Sequence, residues 1–228
     1  MQVSVITLTK RVAESLAGSV TQTTKMPCKS YSLPTVACKT GFKMAQLPGS
    51  ICSACYAMKG NYQMYANNIE PAQHARLDSV LQALEDTEYA KAWVDSMAAH
   101  IGNDDYFRWH DSGDLQSVDH LRLIARVCIE TPNCMHWLPT REYSMIKQYI
   151  EQYGALPDNL VVRLSAMYVD KPVIVPASLQ NVPGVEVSNV HRNASPVGQV
   201  CNAPANANKC EECRSCFHRT GAVSYAFH

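Results

Sequence analysis

Four cysteines lie within sixteen residues near the end of this chain, at Cys201, Cys210, Cys213 and Cys216. The last three recur at every third residue. This C-x2-C-x2-C spacing bends the backbone around a compact object and directs three thiolates inward, and iron–sulfur proteins use it for three ligands of a cubane cluster. Cysteines at this density, without apolar periodicity, do not fill a hydrophobic core. The feature therefore predicts a metal centre that the rest of the chain has to accommodate.

The spacing favours a [4Fe–4S] cluster, with zinc as the alternative metal. Zinc also binds four thiolates, but its usual pattern is two separated C-x2-C pairs rather than three cysteines in one run. The fourth ligand of a cluster would be Cys201 or a cysteine from elsewhere in the chain. The eight residues between Cys201 and Cys210 can span more than the diameter of a cluster, so Cys201 is within reach. A set of structural thiols or disulfides is the third interpretation.

The composition is that of an ordinary globular protein. Of its 228 residues 46% are hydrophobic, enough to bury a sizeable core in one α/β domain covering residues 1–228. Lysine plus arginine balance aspartate plus glutamate, which argues against electrostatically driven binding to nucleic acid or to a membrane surface. The N-terminal twenty residues contain no apolar run long enough for a signal peptide or a membrane helix. We expect a cytoplasmic protein whose ten cysteines stay reduced and available to metals.

A second cysteine-rich segment, residues 26–62, is predicted to be a loop because three prolines in it would break any long helix. It carries four cysteines, at Cys28, Cys38, Cys52 and Cys55. The C-x2-C spacing of the last two lets two thiolates bind one metal. Two arrangements stay open. Either the four cysteines build a second metal site, iron–sulfur or zinc, or a cysteine of the CSACYA run at 52–57 completes a single cluster with the C-terminal segment 196–220.

Strands and helices alternate through the middle of the chain. A helical region from Glu70 to Ile101 is expected first, with Pro71 in its first turn and a break at Asp86-Thr87. Repeated strand–helix units then favour a parallel sheet with right-handed crossovers, so we expect an α/β fold of roughly four to six strands, as a partial, incomplete TIM-like barrel. The periodicity predicts strands over Tyr106–His110, Met135–Leu138, Asn159–Ser165 and Val185–Val190, and helices over Val118–Thr131, capped by Ser117, and Tyr143–Tyr153.

Polar residues follow the predicted strands at their carboxyl ends, where parallel sheets and barrels gather their chemistry. The first strand ends in the sequence HDSGD at 110–114, the second in Thr140-Arg141 and the third at Ser165. We predict catalytic roles for three of these residues, His110, Asp114 and Arg141. The first two supply acid–base groups, and the guanidinium of Arg141 can bind a carboxylate or a phosphate. The neighbouring small residues are predicted to bind a cofactor, namely Ser112, Gly113 and Ser165. The simpler alternative is a helix cap at Asp114 and a surface ion pair at Arg141.

Four motifs occur in order along the chain: SYSLP at 30–34, CSACYA at 52–57, HDSGD at 110–114 and CEECRSCF at 210–217. In these motifs the chain resembles the phage gene-product-88-like proteins. The resemblance covers most of the chain. It implies a phage or prophage origin and a protein of the host cell cytoplasm, and it implies little about activity.

The cysteines ahead of a strand-and-helix core also resemble those of the radical S-adenosylmethionine barrels. Those enzymes place three cluster cysteines as C-x3-C-x2-C, whereas thirteen residues separate Cys38 from Cys52 here. The aromatic Tyr56 follows the last cysteine instead of preceding it, and the sequence SGD occurs where those enzymes have Gly-Gly-Glu. Because of these departures, S-adenosylmethionine is not assigned as a cofactor.

Two functions from different classes fit these observations. The first is an iron–sulfur protein, with one or two [4Fe–4S] clusters, in a redox or radical-type enzymatic role with a redox partner or a small-molecule substrate. The second is a non-catalytic module, stabilised by zinc or a cluster, that binds a host or phage protein. Binding of nucleic acid through zinc-ribbon-like loops is disfavoured by the neutral charge.

Overall fold

The structure is a computed structural model that describes residues 8–23 and 25–227. Its centre is one sheet of eight strands in the order β1-β2-β3-β4-β5-β6-β8-β7. The strands are β1 (Thr21–Gln22), β2 (Lys29–Tyr31), β3 (Tyr106–Trp109), β4 (Met135–Thr140), β5 (Leu160–Ser165), β6 (Val185–His191), β7 (Gln199–Val200) and β8 (Val223–Ala226). The helices are α1 (Lys10–Ala17), α2 (Lys39–Ala45), α3 (Asn61–Met64), α4 (Ala66–Glu85), α5 (Thr87–Ile101), α6 (Val118–Glu130) and α7 (Tyr143–Tyr153).

The expected α/β fold with a mostly parallel sheet is confirmed. In the described sheet every pairing is parallel except that of β1 with β2. The sheet has more strands than the expected four to six, because four short strands, β1, β2, β7 and β8, lie in or beside the cysteine-rich segments, where no strand is predicted. Within the described residues its edge strands β1 and β7 do not pair with each other, so the sheet is open.

The predicted strand–helix alternation is confirmed in the middle of the chain, with small shifts of the boundaries. Helix α7 has its predicted bounds. Helix α6 starts as predicted, since the Ser117 hydroxyl accepts a hydrogen bond from the His120 backbone N–H at 3.0 Å. Strand β4 continues two residues beyond its predicted end, to Thr140, and this brings Thr140 into pairing with Leu164 of β5.

The expected position of Pro71 in the first turn of its helix is wrong. Helix α4 starts at Ala66, so Pro71 lies inside it. A proline at this position cannot donate to the carbonyl four residues earlier, that of Asn67. Both residues are exposed, and water can satisfy that carbonyl, so the helix continues. The predicted break is confirmed, because the Asp86 carboxylate caps α5 by accepting from the backbone N–H groups of Glu88 and Tyr89.

One face of the sheet packs against the helices. On β3, Phe107 and Trp109 point to this side and are fully buried. Trp109 stacks on Trp93 of α5 and meets the edge of Tyr31 from β2, with ring centroids 6.3 and 6.1 Å apart. These aromatic contacts tie the first two parallel strands to the helical layer.

Among the described helices none is long and apolar enough to cross a membrane.

The opposite face, here called the second face, carries the alternate side chains of the same strands, Tyr106, Arg108, Trp137, Arg163 and Tyr225. It is covered by the C-terminal segment around residues 201–221. Phe217 of that segment packs against Tyr106 and Trp137, with ring centroids 5.0 and 5.6 Å apart. Arg108 on β3 and Arg163 on β5, the two strands that flank β4, are unusual on such a face, since charged groups are seldom buried without partners.

Candidate functional site

The HDSGD motif is fastened to the SYSLP motif at the carboxyl ends of β2 and β3. The Leu33 backbone N–H donates to the Ser112 carbonyl at 2.9 Å, and the Ser112 hydroxyl donates to the Leu33 carbonyl at 3.0 Å. Gly113 lies against the same residue with φ +78°, and a Cβ there would be 2.5 Å from the Leu33 Cβ. These contacts give Ser112 and Gly113 a role in joining two strand ends. Their predicted cofactor binding stays a prediction.

Asp114 is buried and its carboxylate is surrounded by donors. Oδ1 accepts from the Leu115 N–H at 2.8 Å and from the Thr140 hydroxyl at 2.6 Å, and Oδ2 accepts from the Arg141 N–H at 2.9 Å. Burial raises the pKa of Asp114 to about 6, and these hydrogen bonds oppose the rise. The carboxylate therefore fixes the end of β4 to the end of β3, which places the Arg141 side chain.

The raised pKa makes stability depend on pH in a defined direction. Because Asp114 binds its proton more tightly in the folded protein than in the unfolded chain, its contribution is greatest below about pH 4 and is lost as the pH rises to about 6. The difference between 3.8 and about 6 corresponds to about 3 kcal/mol. Urea denaturation at several pH values should show the stability of the wild type falling by up to this amount relative to Asp114→Asn. A difference that does not change with pH would contradict the assignment.

Three cysteines of the N-terminal segment, Cys38, Cys52 and Cys55, lie together at this edge, and we call them the carboxyl-edge group. A Cβ added to Gly41 would lie 3.6 Å from the sulfur atoms of both Cys38 and Cys52, so those sulfurs are no farther apart than twice that distance. Burial raises the pKa of the Cys38 and Cys52 thiols. Both lie close enough to Cys55 that a thiolate there would raise the two pKa values further. The Arg141 guanidinium opposes the rise at Cys52 and at Cys38.

The loop that carries the carboxyl-edge group is anchored across the strand ends. The Ile51 backbone N–H donates to the Met167 carbonyl at 3.0 Å, and Met167 lies just after the end of β5. Arg141 binds the neighbouring Ala166 carbonyl through Nε at 3.0 Å. Ser165, predicted to bind a cofactor, accepts a hydrogen bond from Ser188 through its hydroxyl at 3.3 Å. The loop thus spans the carboxyl ends of β3, β4 and β5.

Glu142 is a buried site residue that the sequence reasoning missed. Its carboxylate accepts from the Thr40 backbone N–H at 2.7 Å and from the Thr40 hydroxyl at 2.9 Å. Thr40 lies in the first turn of α2, two residues after Cys38. The contact therefore fixes the Cys38 loop to the end of β4. The sequence feature that could have identified Glu142 is its place as the third polar residue of the Thr140-Arg141-Glu142 run, directly before α7.

The other five cysteines named as ligands form a second set on the second face, the C-terminal group of Cys28, Cys201, Cys210, Cys213 and Cys216. The thiolate of Cys201 would raise the pKa of Cys210 and of Cys216, and Cys210 would raise that of Cys28, so these sulfurs are within electrostatic reach. Cys213 is exposed and contacts the Ser215 hydroxyl at 3.5 Å. The Cys216 sulfur lies 3.1 Å from the Tyr225 hydroxyl.

The structure does not bring Cys28 to the other N-terminal cysteines, as the first of the two open arrangements, a site of all four, would require. Cys28 precedes β2 and Cys38 follows it, so the strand places the two at opposite ends. Burial raises the pKa of Cys28 to about 12, with opposition from the Arg108 guanidinium. The fold thus divides the eight named cysteines into three at the carboxyl edge and five on the second face.

Arg108 lies on the second face near Cys28 of the C-terminal group, and it contacts Tyr56, the residue after Cys55 of the carboxyl-edge group. Its Nη1 is 3.0 Å from the Met26 sulfur, its Nη2 donates to the Tyr56 hydroxyl at 3.3 Å, and its guanidinium is 4.4 Å from the centroid of the Trp137 ring. The Tyr56 hydroxyl donates in turn to the Asp111 carbonyl. Arg108 Nε and Asp111 Oδ1 are buried without a hydrogen-bond partner. A donor and an acceptor at this place are therefore left for a ligand or water.

His110 is buried in an unfavourable backbone conformation. Its φ is +51°, in the left-handed region, and neither ring nitrogen has a hydrogen-bond partner. The ring lies 5.4 Å from that of His120, whose Nε2 is also unpartnered. Burial lowers the pKa of His110 well below its ordinary value, and the charges of His120 and Arg108 lower it further. The imidazole is therefore neutral, and its catalytic role stays a prediction.

The geometry of the thiols bears on whether they fit a metal. All ten cysteines are free. In the described part of the chain, no three or more His, Cys, Asp or Glu side chains are grouped so that they could hold a metal ion as they stand. The donors themselves suit iron–sulfur clusters and zinc, since both bind thiolates. Buried neighbouring thiols with raised pKa values stay protonated until a cation replaces their protons. Either site would require the sulfurs to converge further.

Comparison with known proteins gives a family and no characterised relative. No curated protein and no solved structure matches the chain significantly. A family model described as Gene product 88 matches residues 6–194. The matched span contains the SYSLP, CSACYA and HDSGD motifs, and it ends before the CEECRSCF motif at 210–217. The chain belongs to the gene product 88 family.

Proposed function

We propose that the protein is an iron–sulfur protein with a redox or radical-type enzymatic role, and that its [4Fe–4S] site is the carboxyl-edge group. The observation that carries the proposal is the position of Cys38, Cys52 and Cys55 beside Arg141, across the carboxyl ends of parallel strands. Chemistry in parallel α/β folds collects at that edge. Three thiolates can hold three corners of a cubane cluster, which would supply one-electron chemistry and leave one iron for another ligand.

The surrounding residues have defined tasks in this proposal. Glu142 and Ile51 hold the loop in place through backbone contacts. Asp114 accepts a hydrogen bond from the Arg141 backbone N–H and so fixes the backbone position from which the Arg141 side chain extends. The Arg141 guanidinium offsets thiolate charge and can bind a carboxylate or phosphate of a substrate. The incomplete TIM-like barrel belongs to the same proposal. It is supported by the strand order, which follows the chain from β1 to β6 in a mostly parallel sheet, as in such a barrel.

The C-terminal group is proposed as a second metal site, iron–sulfur or zinc. Within residues 201–221, all of them described, Phe217 is the one buried side chain, so apolar packing gives this segment little stability. A metal bound by its thiolates would supply the missing stabilisation. This favours, for the C-terminal group, the alternative in which a metal stabilises a module that binds a host or phage partner.

Metal analysis with cysteine variants tests the proposal. Protein purified without oxygen should absorb at about 400 nm and contain acid-labile sulfide with about four or about eight irons per chain, for one or two clusters. Replacing Cys52 and Cys55 with serine should remove about four of these irons. Replacing Cys213 and Cys216 should remove the remaining iron, or about one zinc, from the C-terminal group.

One other cysteine supplies the control for this experiment. Cys128 is fully buried in the hydrophobic core and belongs to neither group, whereas Cys134 is within electrostatic reach of Cys28 and is left unchanged. The variant Cys128→Ala should be less stable but keep its full metal content. Colourless protein without iron would refute the proposal. So would an iron content that is the same in the Cys52/Cys55 variant as in the wild type.

A further inference from the structure

The charge of this neutral chain is unevenly distributed. Residues 15–69 contain five lysines and no aspartate or glutamate. This acid-free stretch includes the whole loop that carries the carboxyl-edge group. Three of its lysines, Lys39, Lys43 and Lys59, are exposed, and none of the three takes part in an ion pair within the described structure. The loop over the carboxyl edge therefore exposes three lysines without an ion pair and contributes no carboxylate of its own.

The same region exposes large apolar side chains. Phe42 is 56% exposed, Met58 60% and Met64 71%. Val36, Leu47 and Tyr65 are exposed as well. We call this surface, with its lysines, the basic cap: Val36, Lys39, Phe42, Lys43, Leu47, Met58, Lys59, Met64 and Tyr65. Single exposed apolar residues are ordinary, but a collection of them on one short segment marks an interaction site.

The short helices and turns of the basic cap follow one another along the chain and pack in two groups. Helix α2, with Lys39, Phe42 and Lys43, contacts the 3₁₀ turns Thr35–Ala37 and Cys52–Ala54. The turn Tyr56–Met58 contacts α3, which carries Met64. The carboxyl-edge group lies against α2 of this surface, since a Cβ at Gly41 of that helix would be 3.6 Å from the sulfurs of Cys38 and Cys52.

We propose that the basic cap binds an acidic protein. Unpaired lysines around exposed aliphatic, methionine and aromatic side chains are complementary to an apolar patch rimmed with carboxylates. Methionine adapts its shape to partner surfaces. Nucleic acid fits less well, because tight binding to phosphates uses more cations than three lysines provide, and most of the exposed cap side chains are not stacking rings. The partner we assign is an acidic electron carrier. That choice rests on the proposed function, whereas the docking surface itself does not.

Binding of an acidic electron carrier tests the cap directly. A bacterial flavodoxin, an acidic flavin protein, serves as the probe, and its dissociation constant is measured by calorimetry at low and at physiological salt. The wild type should bind flavodoxin with an affinity that falls as salt is added. The triple variant Lys39→Glu/Lys43→Glu/Lys59→Glu should bind at least tenfold more weakly.

A charge-matched variant separates the local effect from a change in net charge. Lys91, Arg126 and Lys147 are exposed on helices α5, α6 and α7 of the helical side. Their replacement by glutamate changes the net charge by the same amount and should alter the dissociation constant less than twofold. A third variant, Phe42→Ser, should weaken binding without changing its dependence on salt, because it removes apolar area alone.

The outcomes distinguish this inference from the proposed function. Equal weakening by both triple variants, or absence of flavodoxin binding to the wild type, would overturn it. Tight binding of a single-stranded DNA 20-mer that abolishes flavodoxin binding would show a nucleic-acid surface instead. Iron is measured in every variant. Salt-sensitive binding lost only in the cap variant supports the inference even when the protein contains no iron, in which case the proposed function alone fails.

Discussion

Alanine in place of Gly113 should lower the free energy of unfolding by about 3–5 kcal/mol, as the sum of a conformational and a steric cost. Gly113 has φ +78°, where a side chain is strained by about 1–2 kcal/mol. The new Cβ would also lie 2.5 Å from the Leu33 Cβ and 2.8 Å from the Leu33 carbonyl oxygen. Leu33 cannot move away, because two hydrogen bonds hold it to Ser112. The substitution therefore pushes the ends of β2 and β3 apart.

Gly154 provides the matched control for this substitution. It has φ +84° at the end of α7, and a Cβ there would meet nothing within 4 Å. Gly154→Ala should therefore show the conformational cost alone, about 1–3 kcal/mol for its φ of +84° and ψ of −142°. Urea denaturation of both variants measures the difference, which is the cost of the contact with Leu33. Equal losses of stability would mean that the two motifs are not held as closely as the structure shows.

The elements that could be predicted from the sequence are those with long periodic patterns and local caps. Helix α6 combines an N-cap at Ser117 with an apolar face, and both signals lie within the element itself. Helix α7 ends at Gly154 for an equally local reason. Residue patterns are sufficient to predict an element when the residues that determine its start, its end and its buried face all lie within the element. The parallel sheet followed from the alternation of such elements.

The strands that were missed have no such local signal. Strand β2 has three residues and lies in a segment whose prolines and cysteines suggest a loop. It is specified by distant contacts, among them the pairing of Tyr31 with Trp109 and the packing of Tyr31 on Trp93. Because this strand separates Cys28 from Cys38, the two arrangements that the sequence left open for the N-terminal cysteines could not be told apart without it. Tertiary contacts of this kind override local propensity.

For the site, the sequence predicted the place better than the roles. HDSGD was expected at the end of a parallel strand and is found there. The saturation of Asp114 by three donors depends on residues 115, 140 and 141 folding around it, which no local pattern reveals. Arg163 and Arg108 were not singled out, because an arginine in a strand gives no sign of whether it faces solvent or a buried segment. Their importance depends on which face of the sheet the C-terminal segment covers.

Replacing Arg163 with methionine should produce the other large effect, a loss of about 3–5 kcal/mol in the free energy of unfolding. Arg163 is fully buried on β5 and donates to five backbone carbonyls. Four of them belong to the C-terminal segment, and the fifth belongs to β6: Ser215, Cys216, His218, Gly221 and Val187. Methionine fills similar volume but leaves these acceptors unsatisfied, and each buried unsatisfied group costs about 1–3 kcal/mol. Water reaching the more exposed carbonyls keeps the total below the simple sum.

The damage from Arg163→Met should be greatest in the C-terminal segment, which distinguishes it from general loss of stability. Segment 201–221 depends on this guanidinium because Phe217 is its one buried side chain. Hydrogen exchange should therefore increase at residues 213–221 before it increases in α6 or β4. Arg126→Met, at an exposed position of α6, is the control and should change stability by less than about 0.5 kcal/mol. Unchanged exchange in the segment would show that Arg163 does not hold it, and that the C-terminal cysteines are positioned by other contacts.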